Sequence, residues 1–373
     1  MGSERARILI IGGGIAGLAT AWHLGRRHAE GVLLLEREPQ LGTHSTGRNA
    51  AILRTVGPDP LITSVALRSK ASLLAPPAGF SETPLVDPCG LLMIAGRASA
   101  AELQRWAGEA GPTAQVIPAS RLETLAPHFA GDTALAAWFP DEGRLDIAAL
   151  VQGFARGARR TGIAFHRGAT VEGLLQEGGR VAGARLAGGE EIRADTTVIA
   201  SGGWAGRLGA SAGSRVDLRP TRRHLMVTAP DDRVDARWPV VWSLGDAFYC
   251  RPESGGLLLC ACDQVDVDPD ACHTDPAIRE RIAAKAMRLL PGQAGAEAAH
   301  FWCGMRTLTA DQRFAIGPDP DLPGLFWVAG LGGHGMVCSF EIGRIAADLL
   351  TGVGGEDALA AALDPARLVR SAA

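Results

Sequence analysis

The sequence has no run of about 20 apolar residues, the length a membrane-spanning helix needs, so no membrane span is expected. It also lacks a strong charge of either sign. A net charge of -3 over 373 residues gives no electrostatic reason to expect nucleic acid or an anionic membrane as a partner. Its seven cysteines (Cys89, Cys250, Cys260, Cys262, Cys272, Cys303, Cys338) contain no C-x-x-C pair and no zinc spacing. That leaves free thiols in a reducing cytoplasm as the expectation, and no metal. Cys260 and Cys262, two apart in an extended run, would face one side of a strand. Tyrosine occurs once, at Tyr249. There is no internal repeat and no linker-like stretch, although 48 glycines and 22 prolines mark many turns. What is present, 47% hydrophobic residues, suffices for one large core or two domains.

The first forty residues carry the clearest pattern. Ile8-Leu9-Ile10-Ile11 reads as a strand and Gly12-Gly13-Gly14-Ile15-Ala16-Gly17 as a glycine turn. An amphipathic stretch to about His28 follows, then Val32–Leu35 and Glu36-Arg37. Gly12, Gly14 and Gly17 fill the GxGxxG positions. The first permits a tight turn, the second leaves room for a pyrophosphate, and the third lets helix and strand approach. The helix N-terminus offers N–H groups to phosphates, and Glu36 is placed to accept from ribose hydroxyls. A signal peptide is the competing reading, since Arg5 and Arg7 precede an apolar run and Ala19-Thr20-Ala21 mimics a cleavage site. It is rejected because the glycines and His23 break that run, and because its removal would strip the Val32–Glu36 strand of its partner.

Further on, Ser45, Thr46, Arg48 and Asn49 supply donors among small residues, and a helix beginning near Gly47 is expected. Residues 56–144 read as a mostly antiparallel excursion broken by prolines, with a buried strand at Leu91–Ile94 and helices near 98–107 and 120–125. A helix at 146–160 returns the chain to an α/β pattern. Short strands follow at 163–166, 169–175, 181–186 and 191–193, with hairpin turns at Gly178-Gly179 and Gly188-Gly189. A buried strand, Thr196–Ala200, then ends in Ser201-Gly202-Gly203-Trp204. Strands are expected at 224–228, 240–244, 247–251 and 257–262. Asp275 should cap a helix to 290, with Pro276 at its first position. The chain closes with strand Leu325–Ala329, a glycine loop at 330–336, and a helix over 337–350.

In this order, these stretches together with Pro220-Thr221-Arg222-Arg223, Phe248-Tyr249 and Gly304-Met305-Arg306 resemble the D-amino-acid oxidase/sarcosine oxidase (DAO) superfamily of flavoproteins, with most likeness to its FAD-dependent D-arginine dehydrogenase members. The resemblance implies an α/β fold. A discontinuous Rossmann-like FAD-binding domain (1–55, 145–215 and 310–373) would join a second α+β substrate domain built on an antiparallel sheet (56–144 and 216–309). It implies non-covalent FAD, since Cys303 does not match the position of a flavin-linking cysteine. Cofactor contacts are implied at Gly12, Gly14, Ile15, Ala16, Gly17, Glu36, Arg37, His44, Ser45, Thr46, Arg48, Asn49, Ala50, Ala51, Val171, Ser201, Gly202, Trp204, Gly332, Gly333, His334, Gly335, Met336 and Val337. A helix N-terminus at Met336–Val337 would stabilise negative charge near N1 and the C2 carbonyl of reduced flavin.

The same resemblance makes Arg223 and Arg306 a clamp for a substrate carboxylate, which a planar guanidinium can grip through two parallel bonds. Tyr249 would hydrogen-bond the substrate, and His334 would tune the flavin or the oxygen reaction, or bond to backbone. The glutamate that reads a guanidinium side chain in those dehydrogenases falls at Leu91. A cationic substrate is therefore disfavoured, and Ile52, Leu91 and Met93 point to a neutral or apolar side chain. Arg54 could instead receive a second anionic group. The implied reaction is oxidation of the Cα–N bond of a D-amino acid by hydride transfer to flavin N5, and the imino acid then hydrolyses to a 2-oxo acid and ammonia. Oxygen or a quinone-type acceptor would reoxidise the flavin. The alternatives are an N-methyl or cyclic amino acid such as sarcosine or proline, a 2-hydroxy acid, or a flavin-bearing subunit with a degenerate substrate site.

Overall fold

Parallel strands buried on both faces read as unbroken apolar runs rather than alternating ones, and Val32-Leu33-Leu34-Leu35 is such a run. In the computed structural model, which describes residues 4–353 and 357–369, that segment is second in a parallel series. The order is Ala164–Arg167, Val32–Glu36, Glu4–Ile11, Glu191–Ile199 and Leu325–Ala329. Ala315–Pro318 adds an antiparallel strand beside the last. The hairpin Val171–Glu177/Arg180–Leu186 continues antiparallel from the first half of Glu191–Ile199.

The two faces of this sheet are buried separately. Ile8, Ile10, Val32 and Leu34 pack under the helices Ile15–Arg26, Ile147–Arg160 and Ser339–Thr351. Leu9, Ile11, Leu33 and Leu35 pack against Leu174, Val181 and Leu186 of the hairpin. The helix Pro60–Leu74 falls in the expected substrate segment, yet Ile62, Val65, Ala66 and Leu73 join the first of these cores.

The second large sheet runs Ala298–Leu308, Arg219–Thr228, Gly256–Cys260, Phe248–Glu253, Val240–Ser243, Leu91–Ala95, Leu135–Phe139 and Gln115–Ile117. All its neighbours are antiparallel except Val240–Ser243 and Leu91–Ala95. Met226, Val241, Phe248, Cys250 and Leu259 bury one face against Ile282 and Leu289 of the helix Pro276–Leu289. Asp275 caps that helix through the Ala277 N–H at 3.0 Å. The opposite face looks toward the parallel sheet and carries the cleft.

Several local expectations change. The stretches 191–193 and 196–200 form one strand, Glu191–Ile199. No helix starts near Gly47, because residues 41–49 are successive turns in which the N–H groups of Gly47 and Arg48 both bond to His44 O at 3.0 Å. The Asn49 side chain accepts the Ala51 N–H at 2.6 Å, the local competition that keeps such residues out of helix interiors. The C-terminal helix begins at Ser339, with a turn before it closed by Cys338 N–H on His334 O at 2.9 Å. The Gly256–Cys260 strand ends before Cys262, whose φ is 51°, so the two thiols do not share a strand face. Among the described residues no helix is long and apolar enough to cross a membrane.

Candidate active site

The turn after the first strand leaves its backbone little choice. Gly12 has φ 118°, and a Cβ there would lie 2.4 Å from Ala200 O. At Gly17 a Cβ would lie 2.0 Å from Gly12 O, so this glycine lets the helix sit on the turn. Gly14 differs: a Cβ would meet only Thr46 Oγ1, at 3.3 Å. Thr46 Oγ1 also accepts the Ile15 N–H at 3.0 Å, and Glu36 Oε2 accepts the Gly13 N–H at 2.7 Å. The other Glu36 oxygen takes the Glu38 N–H at 2.8 Å. The N–H groups of Gly14 and Ala16 have no partner among the described residues.

From this turn a cleft of about 790 Å³ runs between the two sheets. Every expected site residue lines it except Gly17, Leu91 and Met93. Near the glycine turn, Arg37 stacks on Trp204 at 4.0 Å and His44 meets the same ring edge-on at 4.7 Å. Trp204 Nε1 donates to Asp270 at 2.7 Å. The middle is the Ser45–Ala51 loop, held to the second sheet by Arg251 Nε on Ala50 O (2.7 Å) and Trp302 Nε1 on Arg48 O (3.3 Å).

The residues fit a flavin dinucleotide. Ser201 Oγ, on the cleft wall, is buried without a partner among the described residues. A Cβ at Gly202 would meet nothing within 4 Å. At the far end the N–H groups of Gly335, Met336 and Val337 have no partner among the described residues. Free donors and open backbone thus stand at both ends and the middle of one channel.

Strand register assembles the other end. Arg223 lies opposite Gly304, and Thr221 opposite Arg306. Opposed residues share a face, as do residues two apart on one strand, so both guanidinium groups project from one face. Trp242 opposes Tyr249, and Tyr249 opposes Cys260, extending the stripe across the sheet. Trp242 and Tyr249 stack at 4.4 Å. Arg223 donates through Nε to Asp263 O and through Nη2 to Gln264 Oε1 at 3.4 Å. Asp263 is itself fixed by the buried His224, whose Nδ1 lies 2.7 Å from Oδ2. No hydrogen-bond or ion-pair partner for the Arg306 guanidinium is found among the described residues. Burial, then Arg223, lowers the Arg306 pKa.

Arg54 lies over Trp242 at 4.4 Å. Its Nη1 donates to Val56 O at 2.6 Å, and its Nη2 is 3.2 Å from His334 Nε2. Arginine has no acceptor, so Nε2 accepts and the His334 proton sits on Nδ1. Burial, Arg54 and Arg306 push the His334 pKa down to about 3, so the ring is neutral at physiological pH. Burial and then Arg306 lower Arg54 to about 10, which leaves it cationic. Tyr249 is raised well above 10 by burial and by Cys260, so its hydroxyl stays protonated.

Leu91 and Met93 do not reach the cleft. They are on the correct face, since Met93 pairs with Trp242, but their strand lies four steps from that of Arg223, about 19 Å at 4.8 Å per step. There Leu103, Trp106 and Ala107 of the helix Ala100–Ala110 cover them. Trp242, Leu225 and Cys262 line the cleft instead. Trp242 falls in the expected 240–244 strand, but Val240-Val241-Trp242 is an unbroken apolar run that marks no face. Nothing in the sequence marked Leu225 or Cys262.

Comparison with known proteins bears on the same chain length. A family model described as DAO, FAD dependent oxidoreductase, matches residues 7–349. The chain is 26% identical over 378 residues to 4-methylaminobutanoate oxidase (formaldehyde-forming) of Paenarthrobacter nicotinovorans, covering 95% of this chain and 45% of that protein. It is 28% identical to glycine oxidase of Geobacillus kaustophilus, covering 93% of each. It thus spans about half the length of the first relative and nearly all of the second. Among solved structures, L-proline dehydrogenase from P. horikoshii superposes with TM-score 0.84 at 22% identity, covering 98% of both chains, a likeness of fold.

Proposed function

The chain belongs to the DAO family of FAD-dependent oxidoreductases, and on that premise we propose that it oxidises the Cα–N bond of an amino acid. The observation that carries this reading is Arg306, a guanidinium with no partner among the described residues, at the cleft wall and on one sheet face with Arg223. A planar cation with all five donors free, next to a second with donors to spare, is built for a carboxylate. FAD held along the Gly12–Gly17 turn, the Ser45–Ala51 loop and the Gly335–Val337 N–H groups supplies the two-electron acceptor.

The protein's own part is orientation and electrostatics. Arg306 and Arg223 fix the carboxylate and thereby the Cα–H, while Trp242 and Tyr249 wall the pocket and exclude water. The three cations Arg54, Arg223 and Arg306 lower the pKa of the substrate ammonium. The amine then loses its proton to water, and its lone pair becomes available as hydride leaves Cα. His334 and Tyr249 are poorly suited as bases: the first is a very weak acceptor already engaged by Arg54, and the second is held protonated. Release as an imino acid and hydrolysis give a 2-oxo acid and ammonia.

Of the residues first named for an apolar side chain only Ile52 lines the cleft, joined by Leu225 and Trp242, and Arg54 on the same wall favours an acidic group instead. An N-methyl amino acid is the second reading, favoured by the likeness to 4-methylaminobutanoate oxidase. The test is anaerobic mixing of the FAD-loaded protein with D- and L-amino acids, N-methyl amino acids and 2-hydroxy acids. Bleaching of the flavin band by an amine and not by a hydroxy acid supports the proposal, and bleaching by hydroxy acids alone overturns it.

A further inference from the structure

Resting on that reading, we infer that the substrate carries two acidic groups: the α-carboxylate on Arg306 and Arg223, and a second one on Arg54.

Three guanidinium groups, Arg54, Arg223 and Arg306, line one end of the cleft. Among the described residues no aspartate or glutamate side chain bonds to any of them. Arg223 is the best supplied. It has the Asp263 carbonyl and Gln264, and the nearby Cys260 thiol is drawn below its usual pKa despite its burial, by Cys262, Arg223 and Tyr249. Arg306 has no partner among the described residues. Arg54 spends two of its five donors on Val56 O and His334, leaving three. Glu142, the carboxylate whose charge reaches Arg54, makes no hydrogen bond or ion pair with it and is committed to Lys70 at 3.6 Å and to Thr55. Buried cations without counter-charge are costly, and a single carboxylate answers one of the two.

The neighbour chosen for Arg54 sharpens this. A carboxylate in its place would quench the Arg54 charge, and a protonated histidine could not accept from a guanidinium. His334 is instead held neutral with its lone pair on Arg54, so it orients the guanidinium without neutralising it, while the Trp242 face positions it from below. Arg54 and Arg306 flank the Gly333-His334 step: a Cβ at Gly333 would lie 2.9 Å from Arg306 Cζ, and His334 Nε2 is 3.2 Å from Arg54 Nη2. Two acids separated by a few bonds fit such a pair, whether the second is on the side chain or on the nitrogen.

The test uses the full-length, FAD-loaded protein and matched pairs of amines in anaerobic flavin reduction. Glutamate against norvaline, both enantiomers, probes a side-chain acid. N-(carboxymethyl)glycine against N-ethylglycine probes an acid on nitrogen. The expected result is an apparent Kd at least about tenfold lower for the diacid in one of the two pairs. In Arg54→Met that ratio should fall toward one, and Arg54→Lys should recover part of it. Equal Kd values within both pairs in the native protein overturn the second-acid subsite while leaving amine oxidation standing. A loss of affinity in Arg54→Met that is the same for diacid and monoacid overturns it too, and assigns Arg54 to holding His334. If no amine of either kind bleaches the flavin, the underlying reading fails instead. The native comparison is independent of whether either variant folds.

Discussion

A guanidinium and an ammonium differ most where a planar group must be held in two places at once. Arg306→Lys should therefore lower kcat/KM by about 100-fold, roughly the 3 kcal/mol of a lost bidentate charged bond, with flavin content unchanged. A loss below threefold would show that the carboxylate binds elsewhere. His334 makes a different prediction. Because burial and two arginines hold its pKa near 3, it is neutral throughout the working range, and the pH profile of kcat/KM should contain no inflection near 6.5. His334→Gln should lower kcat/KM about tenfold and leave the shape of that profile unaltered. An inflection near 6.5 that vanishes in this variant would assign His334 a titrating role.

At the scale of one element, the glycine turn separates folding from binding. Gly14 has φ -80° at the N-cap, and only Thr46 Oγ1 near its missing Cβ. Gly14→Ala should fold with a near-native Tm as apoprotein yet lose FAD affinity by tenfold or more, since the methyl would occupy the phosphate path. Gly17→Ala places a carbon 2.0 Å from Gly12 O, so it should destabilise the apoprotein itself by about 2 kcal/mol or more. Denaturation of both apoproteins, with FAD titration of each, checks the pair; equal stability loss in the two would contradict it.

Across the whole molecule, histidines far apart act in one direction. His23 and His334 are pushed to about 3 and His128 to about 4, burial being the first cause in each case. Unfolded, each would take up a proton near 6.5. Below that pH the unfolded chain binds more protons than the native one, so stability is lost as pH falls from about 6.5 toward 4. Tm should drop over this window. His128→Phe, which preserves the stack on Trp238 at 3.9 Å, should flatten the fall. Saturating FAD at a thousandfold its Kd should add about 4 kcal/mol, and a Tm indifferent to FAD would remove the cofactor from this cleft.

The sequence alone determined the parallel strands, the glycine turn and its acid, because their signals are local: apolar runs, a fixed glycine spacing, and a residue at a strand end. The capping of the Pro276–Leu289 helix was legible for the same reason, since Asp275 and Pro276 act on their own neighbours. Motif order also carried Arg223 and Arg306. What only the tertiary structure decided is lateral position across a sheet. Alternation along a strand specifies a face but not how many strands away it lies, so Met93 and Trp242 are equivalent in period. Pairing order alone leaves one under a helix and the other against Arg54. The protonation state of His334 belongs to the same class, for it is set by burial and then by two arginines, one of them 280 residues away in sequence, that folding brings to its ring.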